Sequence, residues 1–233
     1  MNWIDKIICE QYKLVKVLKN TDKTQICVYE HKELGKRLVK RFVNGTGEVY
    51  EVLRILSHPN IANVYEMFQS EAGVTVLEEY VDGQTVGEYL LDNLYTETGV
   101  KKIILSLCDA LQFLHYNKII HKDIKPENVM IDNYGNVKLI DFDAARIYKP
   151  YQSKDTKILG TTGYAAPEQY GLNQTDERTD IFALGVLMNV MLTGEPPQRR
   201  LYNGKLKKAI VKCTQTIPDN RYQNVMALKK DLR

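Results

Sequence analysis

His121-Lys122-Asp123-Ile124-Lys125-Pro126-Glu127-Asn128, followed 13 residues after Asn128 by Asp141-Phe142-Asp143, is the stretch on which the reading of this chain turns. It sets an acid, an ammonium, an amide and a second acid at fixed offsets. Asp123 is suited to accept a hydroxyl proton, Lys125 to neutralise charge on a group in flight, and Asn128 with Asp141 to hold Mg²⁺ between them. A polar surface turn has no need of that combination, which points to phosphoryl transfer.

On the C-terminal side, Val129-Met130-Ile131 and Val137-Lys138-Leu139-Ile140 flank the turn-rich Asp132-Asn133-Tyr134-Gly135-Asn136. That pattern predicts a short hairpin whose open end brings Asn128 and Asp141 to neighbouring positions. Further on, residues 179 to 193 are apolar almost all round, as expected of a helix buried at the centre of a folded unit. On the N-terminal side, Ile103, Ile104, Leu107, Cys108, Leu111 and Leu114 recur at helical spacing and predict a long helix over residues 99 to 117.

The chain changes character before that helix. Leu14 to Leu18, Ile26 to Tyr29 and Leu38 to Val43 read as three strands joined by polar turns. Val49, Val52, Leu53 and Leu56 then mark a short helix, stopped at His58-Pro59-Asn60. Asn63 to Phe68 and Val74 to Tyr80 supply two more strands, and Asp82-Gly83-Gln84 breaks the pattern. A boundary at residue 80 is expected, with a sheet-bearing unit over 1–80 and a mainly helical one over 81–233.

Composition narrows the function classes. The chain has 233 residues, 44% of them hydrophobic and 26% charged, with a net charge of +3, so it is ordinary globular material. Lys36-Arg37 with Lys40-Arg41, and Arg199-Arg200 with Lys205, Lys207 and Lys208, read as solvated faces, and no nucleic-acid partner is expected. Cys9, Cys27, Cys108 and Cys213 are scattered without metal or disulfide spacing, which fits a reduced, cytoplasmic setting. No apolar run reaches the roughly 18 to 20 residues that cross a bilayer, and the first residues lack the features of a secretory signal.

These residues together resemble a eukaryotic-type serine/threonine protein kinase catalytic domain in its compact bacterial form. The resemblance runs from about Tyr12 to Leu232. It includes Gly160-Thr161-Thr162-Gly163-Tyr164-Ala165-Ala166-Pro167-Glu168, similar to the substrate-positioning loop ending in Ala-Pro-Glu, and Asp180 and Arg221, the latter implied to pair with Glu168. The implied fold is α+β and bilobal: a five-stranded antiparallel sheet plus one helix in the N-lobe, and a mainly helical C-lobe. The implied activity is transfer of the ATP γ-phosphoryl group to protein Ser/Thr hydroxyls, with Mg²⁺. Asp123 and Lys125 are then catalytic, Asn128 and Asp141 metal-binding, and Ser153, Thr156, Thr161 and Thr162 candidate sites of self-phosphorylation.

Arg37-Leu38-Val39-Lys40 resembles the family's Val-Ala-Ile-Lys strand, making Lys40 the phosphate-gripping residue, with Arg41 as the competing choice. Alternation puts Leu38 and Lys40 on one face, taken as the nucleotide side, and sends Arg41 the other way. Leu18 and Ile26 are expected to line the nucleotide with Leu38. Glu78-Glu79-Tyr80-Val81 resembles the hinge, where Glu79 and Val81 would contact adenine through backbone groups. Glu78 falls at the gatekeeper position, and a carboxylate there needs a partner.

Three departures stand out. Lys19-Asn20-Thr21-Asp22-Lys23-Thr24 occupies the place of the glycine-rich loop without one glycine, so fewer backbone amides can approach phosphates, and weak ATP affinity is expected. Ungapped spacing puts Val49 where a glutamate should meet Lys40, leaving Glu48, or Glu51, for that role. The metal triplet ends in Asp143 rather than Gly, and Lys122 replaces Arg before Asp123. These departures leave open a pseudokinase scaffold and, less strongly, a small-molecule phosphotransferase.

Overall fold

The computed structural model describes residues 2–22, 24–149, 163–171 and 175–233. Ser153, Thr156, Thr161 and Thr162 lie outside the described residues, as do Lys23 and Gly160. The chain divides into two compact units, Met1–Asp82 and Gly83–Arg233.

The first unit opens with a helix that the sequence reading did not anticipate, α1 (Trp3–Gln11). Asn2 caps it by accepting the Asp5 amide at 2.8 Å. Ile4 and Ile8, one turn apart, are buried. Five antiparallel strands follow: β1 (Tyr12–Asn20), β2 (Thr24–His31), β3 (Arg37–Val43), β4 (Val64–Ser70) and β5 (Gly73–Glu79), in the order β1-β2-β3-β5-β4. The short helix α2 (Glu48–Ile55) lies between β3 and β4 in the chain, as its apolar spacing predicts.

Strand register defines the two faces of this sheet. Leu38 stands opposite Glu79 and Lys40 opposite Leu77, while Val39 stands opposite Glu78 and Arg41 opposite Val76. Leu38 and Leu77 pack with Ile4 and Ile8, with Tyr12, Tyr29 and Phe68 around them. The α1 helix therefore covers the face that carries Lys40. The other face belongs to α2. A Cβ on Gly47, the residue that starts α2, would lie 2.9 Å from Val74 Cγ2 and 2.5 Å from Met67 Cε. Val74, Val76 and Glu78 alternate onto that same side, together with Val39, Arg41 and Val43.

The second unit contains β6 (Gly83–Thr85), α3 (Val86–Leu90), α4 (Glu97–Tyr116), β7 (Ile119–Ile120), β8 (Val129–Asp132), β9 (Val137–Leu139), β10 (Arg146–Ile147), α5 (Glu177–Thr193), α6 (Lys207–Cys213) and α7 (Val225–Leu232). The apolar stripe of α4 is buried, as its spacing predicts. The central helix α5 is buried on nearly every side, is capped by Asp176, and ends at Gly194, whose φ of 76° places it in the left-handed region where glycine carries no Cβ penalty. Gly185 lets α6 close on α5, since a Cβ there would meet Cys213 Cβ at 2.5 Å.

Candidate active site

The segment between β7 and β8 is shaped by its own polar residues. Pro126 starts a single 3₁₀ turn, Pro126–Asn128, for which its fixed φ and missing N–H are suited. That turn folds Asn128 back, so that its Nδ2 donates to the Asp123 carbonyl at 2.8 Å and to Asp123 Oδ2 at 3.0 Å. Lys125 Nζ reaches the same Oδ2 at 2.7 Å. Asp123, Lys125 and Asn128, singled out by spacing, are thus in direct contact, with the carboxylate of Asp123 oriented by two donors.

Asp180, at the start of α5 and fully buried, anchors the segment from beneath. Its Oδ2 accepts the His121 amide at 3.0 Å, its Oδ1 accepts the Lys122 amide at 2.8 Å, and His115 Nε2 lies 2.8 Å from Oδ2. Burial works to raise this carboxyl, but His115 and the facing amides outweigh it and hold it below the usual carboxylate range. Lys122 has φ 68°, an uncommon conformation for a side-chain-bearing residue. Gln169 Nε2 fastens the Lys122 carbonyl at 2.9 Å, so both peptide groups flanking that strained position are pinned.

The hairpin β8–β9 performs the service its turn sequence implies. Asp132 Oδ1 accepts the amides of Tyr134 at 2.9 Å and Asn136 at 2.8 Å. At the open end Ile140 N donates to the Asn128 carbonyl at 3.0 Å, which sets Asp141 beside the 3₁₀ turn. Asp141 has φ 65° and its Oδ1 accepts the Asp143 amide at 3.2 Å, so the triplet keeps its turn without the glycine. Phe142 is buried edge-on against His121, ring centroids 5.1 Å apart.

The donor chemistry fits Mg²⁺ with a nucleotide. The NH₂ of Asn128 is taken by Asp123, which turns its amide oxygen into the atom suited to a cation, and Asp141 adds a carboxylate. Both are hard oxygen donors. Among the described residues no group of three or more His, Cys, Asp or Glu forms a metal cluster. A metal held by Asn128 and Asp141 would draw its other ligands from phosphate and water, the manner in which Mg²⁺ is usually bound.

In the first unit the expected nucleotide residues separate. Ile26 is buried and Val81 is buried, whereas Leu18 is half exposed. Glu79 uses its Oε2 to accept the amide of Asn63 at 3.0 Å and its Nδ2 at 2.9 Å. Glu48 and Glu51 both sit on the exposed side of α2, whose buried residues are Val49, Tyr50 and Leu53. Thr21 Oγ1 accepts the Thr24 amide at 3.1 Å, closing the turn that stands in place of a glycine-rich loop.

Leu38 and Lys40 do share a face, but that face is the one under α1. Leu38 belongs to the α1 cluster, and the Lys40 ammonium pairs with Asp5 of α1, on the side away from α2. The opposite face carries a buried ion pair that spacing alone did not find: Arg41 Nε donates to Glu78 Oε2 at 3.1 Å, with only 4% and 8% of the two residues exposed. A buried carboxylate at Glu78 needs a partner, and Arg41 is one. Asn2 as a cap with Ile4 and Ile8 four residues apart is a faint sign of the helix, but which face it covers is set only by tertiary packing on Leu38 and Leu77.

The chain is similar to known proteins over nearly its whole length. A family model described as the protein kinase domain matches residues 13–232. The serine/threonine-protein kinase PknB of Mycobacterium leprae is 31% identical over 207 residues, covering 76% of this chain and 33% of that protein. The serine/threonine-protein kinase PrkC of Bacillus subtilis is 29% identical over 76% of this chain and 31% of its own length. An Aurora kinase of Candida glabrata is 30% identical over 92% of this chain and 58% of its own. The chain thus spans about a third to somewhat over half of the length of these relatives.

Proposed function

Because the chain belongs to the protein kinase domain family, we propose that it transfers the γ-phosphoryl group of ATP to serine or threonine hydroxyls of protein substrates. The observation that carries this reading is the contact set around Asp123, whose carboxylate is held by Lys125 Nζ at 2.7 Å and Asn128 Nδ2 at 3.0 Å. Asp123 orients the acceptor hydroxyl and takes its proton at a carboxylate oxygen. Lys125, already at that oxygen, offsets negative charge on the group being transferred. Asn128 and Asp141 are the residues that would hold Mg²⁺, which would neutralise phosphate charge on the ATP that would supply the phosphoryl group. Catalysis of this kind rests on positioning and electrostatics, not on a covalent intermediate.

The pinned backbone at Lys122 supports the reading, because strain that the surroundings over-determine tends to gather at functional sites. No helix among the described residues is long and apolar enough to cross a membrane. Its four cysteines are free thiols, which supports a cytoplasmic setting.

The test is an intact-mass time course with Mg²⁺, ATP and a mixed serine/threonine peptide pool, run beside Asp123→Asn. Mass gains on peptide or protein in steps of one phosphate, absent in the variant, are expected. A parent protein that leaves every peptide and itself unmodified would overturn the activity.

A further inference from the structure

Helix α1 lies outside the region that the protein kinase domain model matches, which begins at residue 13. It nevertheless covers the Lys40 side of the sheet. Ile4 and Ile8 rest on Leu38 and Leu77, and the Asp5 carboxylate takes the Lys40 ammonium. The helix therefore offers this face an apolar surface with an anion beside it. Those are also the two chemistries of a nucleotide, whose base presents flat apolar faces and whose phosphates carry negative charge.

The helix is held unevenly and fits loosely. Its C-terminal end is tied to the turn after β2 by Lys32, whose Nζ donates to the Cys9 carbonyl at 3.1 Å and the Glu10 carbonyl at 2.8 Å. The Lys32 amide donates to the Gln11 carbonyl at 2.9 Å, and an ammonium at a helix C-terminus also complements its dipole. The N-terminal half rests on Ile4, Ile8 and the Asp5–Lys40 pair. Between helix and sheet lies a cleft of about 430 Å³, lined by Asp5, Ile8, Cys9, Tyr12, Tyr29 and Lys40. An element docked at interior packing density would leave no such space. A helix of nine residues is also too short to persist once its tertiary contacts are gone.

Resting on the kinase reading above, with Leu38 and Lys40 on the nucleotide side, we propose that α1 is an autoinhibitory segment. It fills the nucleotide face of the first unit, with Asp5 standing in for a phosphate oxygen, and ATP binds only after α1 swings away about its Lys32 anchor. The apparent affinity for ATP is then the intrinsic affinity reduced to the fraction of molecules with α1 undocked. Loosening α1 raises that affinity, the reverse of what losing a ligand contact does. By the same coupling, ATP displaces α1.

The experiment measures ATP binding with Mg²⁺ by calorimetry, and hydrogen exchange of the α1 amides with and without saturating ATP, for the parent, Asp5→Asn and Ile8→Ala. Peptide phosphorylation is followed alongside. Point changes are used because deleting α1 would bare Leu38 and Leu77, and thermal denaturation verifies that each variant is folded. Asp5→Asn should tighten ATP binding about fivefold, the factor for losing a partly exposed ion pair. Ile8→Ala, which leaves Asp5 and Lys40 in place, should tighten it about tenfold or more. In the parent, the α1 amides should exchange faster once ATP is bound. Unchanged or weaker ATP affinity in both variants, α1 amides as protected with ATP as without it, or no ATP binding by any of the three proteins would overturn the proposal. Peptide phosphorylation by the parent alongside the first or second of these results would leave the kinase reading in place. Tighter ATP binding by both variants with no phosphoryl transfer would remove the activity and leave the role of α1 standing.

Discussion

Asp180 accepts the backbone amide of Lys122 at 2.8 Å, and it is this carboxylate, from the start of α5, that holds Lys122 at φ 68° directly before Asp123. Replacing it with asparagine keeps the size but turns one of the two acceptor oxygens into a donor facing an amide. Asp180→Asn should therefore shift the backbone at Asp123 and lower kcat by about a hundred-fold, the order expected for a displacement of a reacting group by about 1 Å. The affinity for ATP should hold, which a kcat against KM comparison would reveal.

Asp123→Asn removes the carboxylate proposed above as proton acceptor while leaving an amide oxygen able to accept from Lys125. Transfer should fall by about 10²- to 10⁴-fold, the usual contribution of a general base, with the thermal midpoint almost unchanged. A radiolabelled ATP assay beside a melting curve separates this from misfolding.

Arg221 and Glu168 form a two-point pair, Nη1 to Oε1 at 2.7 Å and Nη2 to Oε2 at 2.8 Å, with both residues buried. Thr179 Oγ1 adds a bond to Glu168 Oε1 at 2.9 Å. Removing one partner leaves a buried charge, so Glu168→Gln or Arg221→Met should each destabilise the protein by about 3–5 kcal/mol. The pair of changes together should cost clearly less than their sum, read from a double-mutant cycle in urea.

Burial pushes the Cys108 thiol up to about 12 from an ordinary 9.0, with Asp109 adding to the rise and Lys229 opposing it. The Cys213 thiol is raised well above 9.0 for the same principal reason. A thiol raised in the folded state contributes its full stability below the unfolded value and loses it as pH climbs toward the folded one. Stability should thus decline between pH 9.0 and about 12, by at most about 1.4 kcal/mol per pH unit for each such thiol. Cys108→Ala should flatten that decline, as measured by denaturation at a series of alkaline pH values.

The catalytic segment was legible because its logic is local. Asp123, Lys125 and Asn128 lie within one turn of chain, so spacing nearly determines their contact, and the hairpin that brings Asp141 alongside announces itself through Asp132 and Gly135. The five strands, α2, α4 and α5 followed from periodicity. Lys40 and Arg41 were a different problem. Alternation says that they part company, but only a helix distant in sequence decides which side each one faces. That helix is nine residues long, and its amphipathic spacing is two isoleucines, too brief a pattern to stand out in advance. The partnership of Arg41 with Glu78 is likewise a matter of register between strands more than thirty residues apart, which no local motif encodes.

The homologous region opens at residue 13, just past the last turn of α1 at Gln11. A protein trimmed to that boundary would retain every motif by which it is recognised and yet lose the cover over Leu38 and Leu77. Its sheet would present an oily back and an unneutralised Lys40 to water, and aggregation during purification would be read, mistakenly, as a fault of the kinase domain itself.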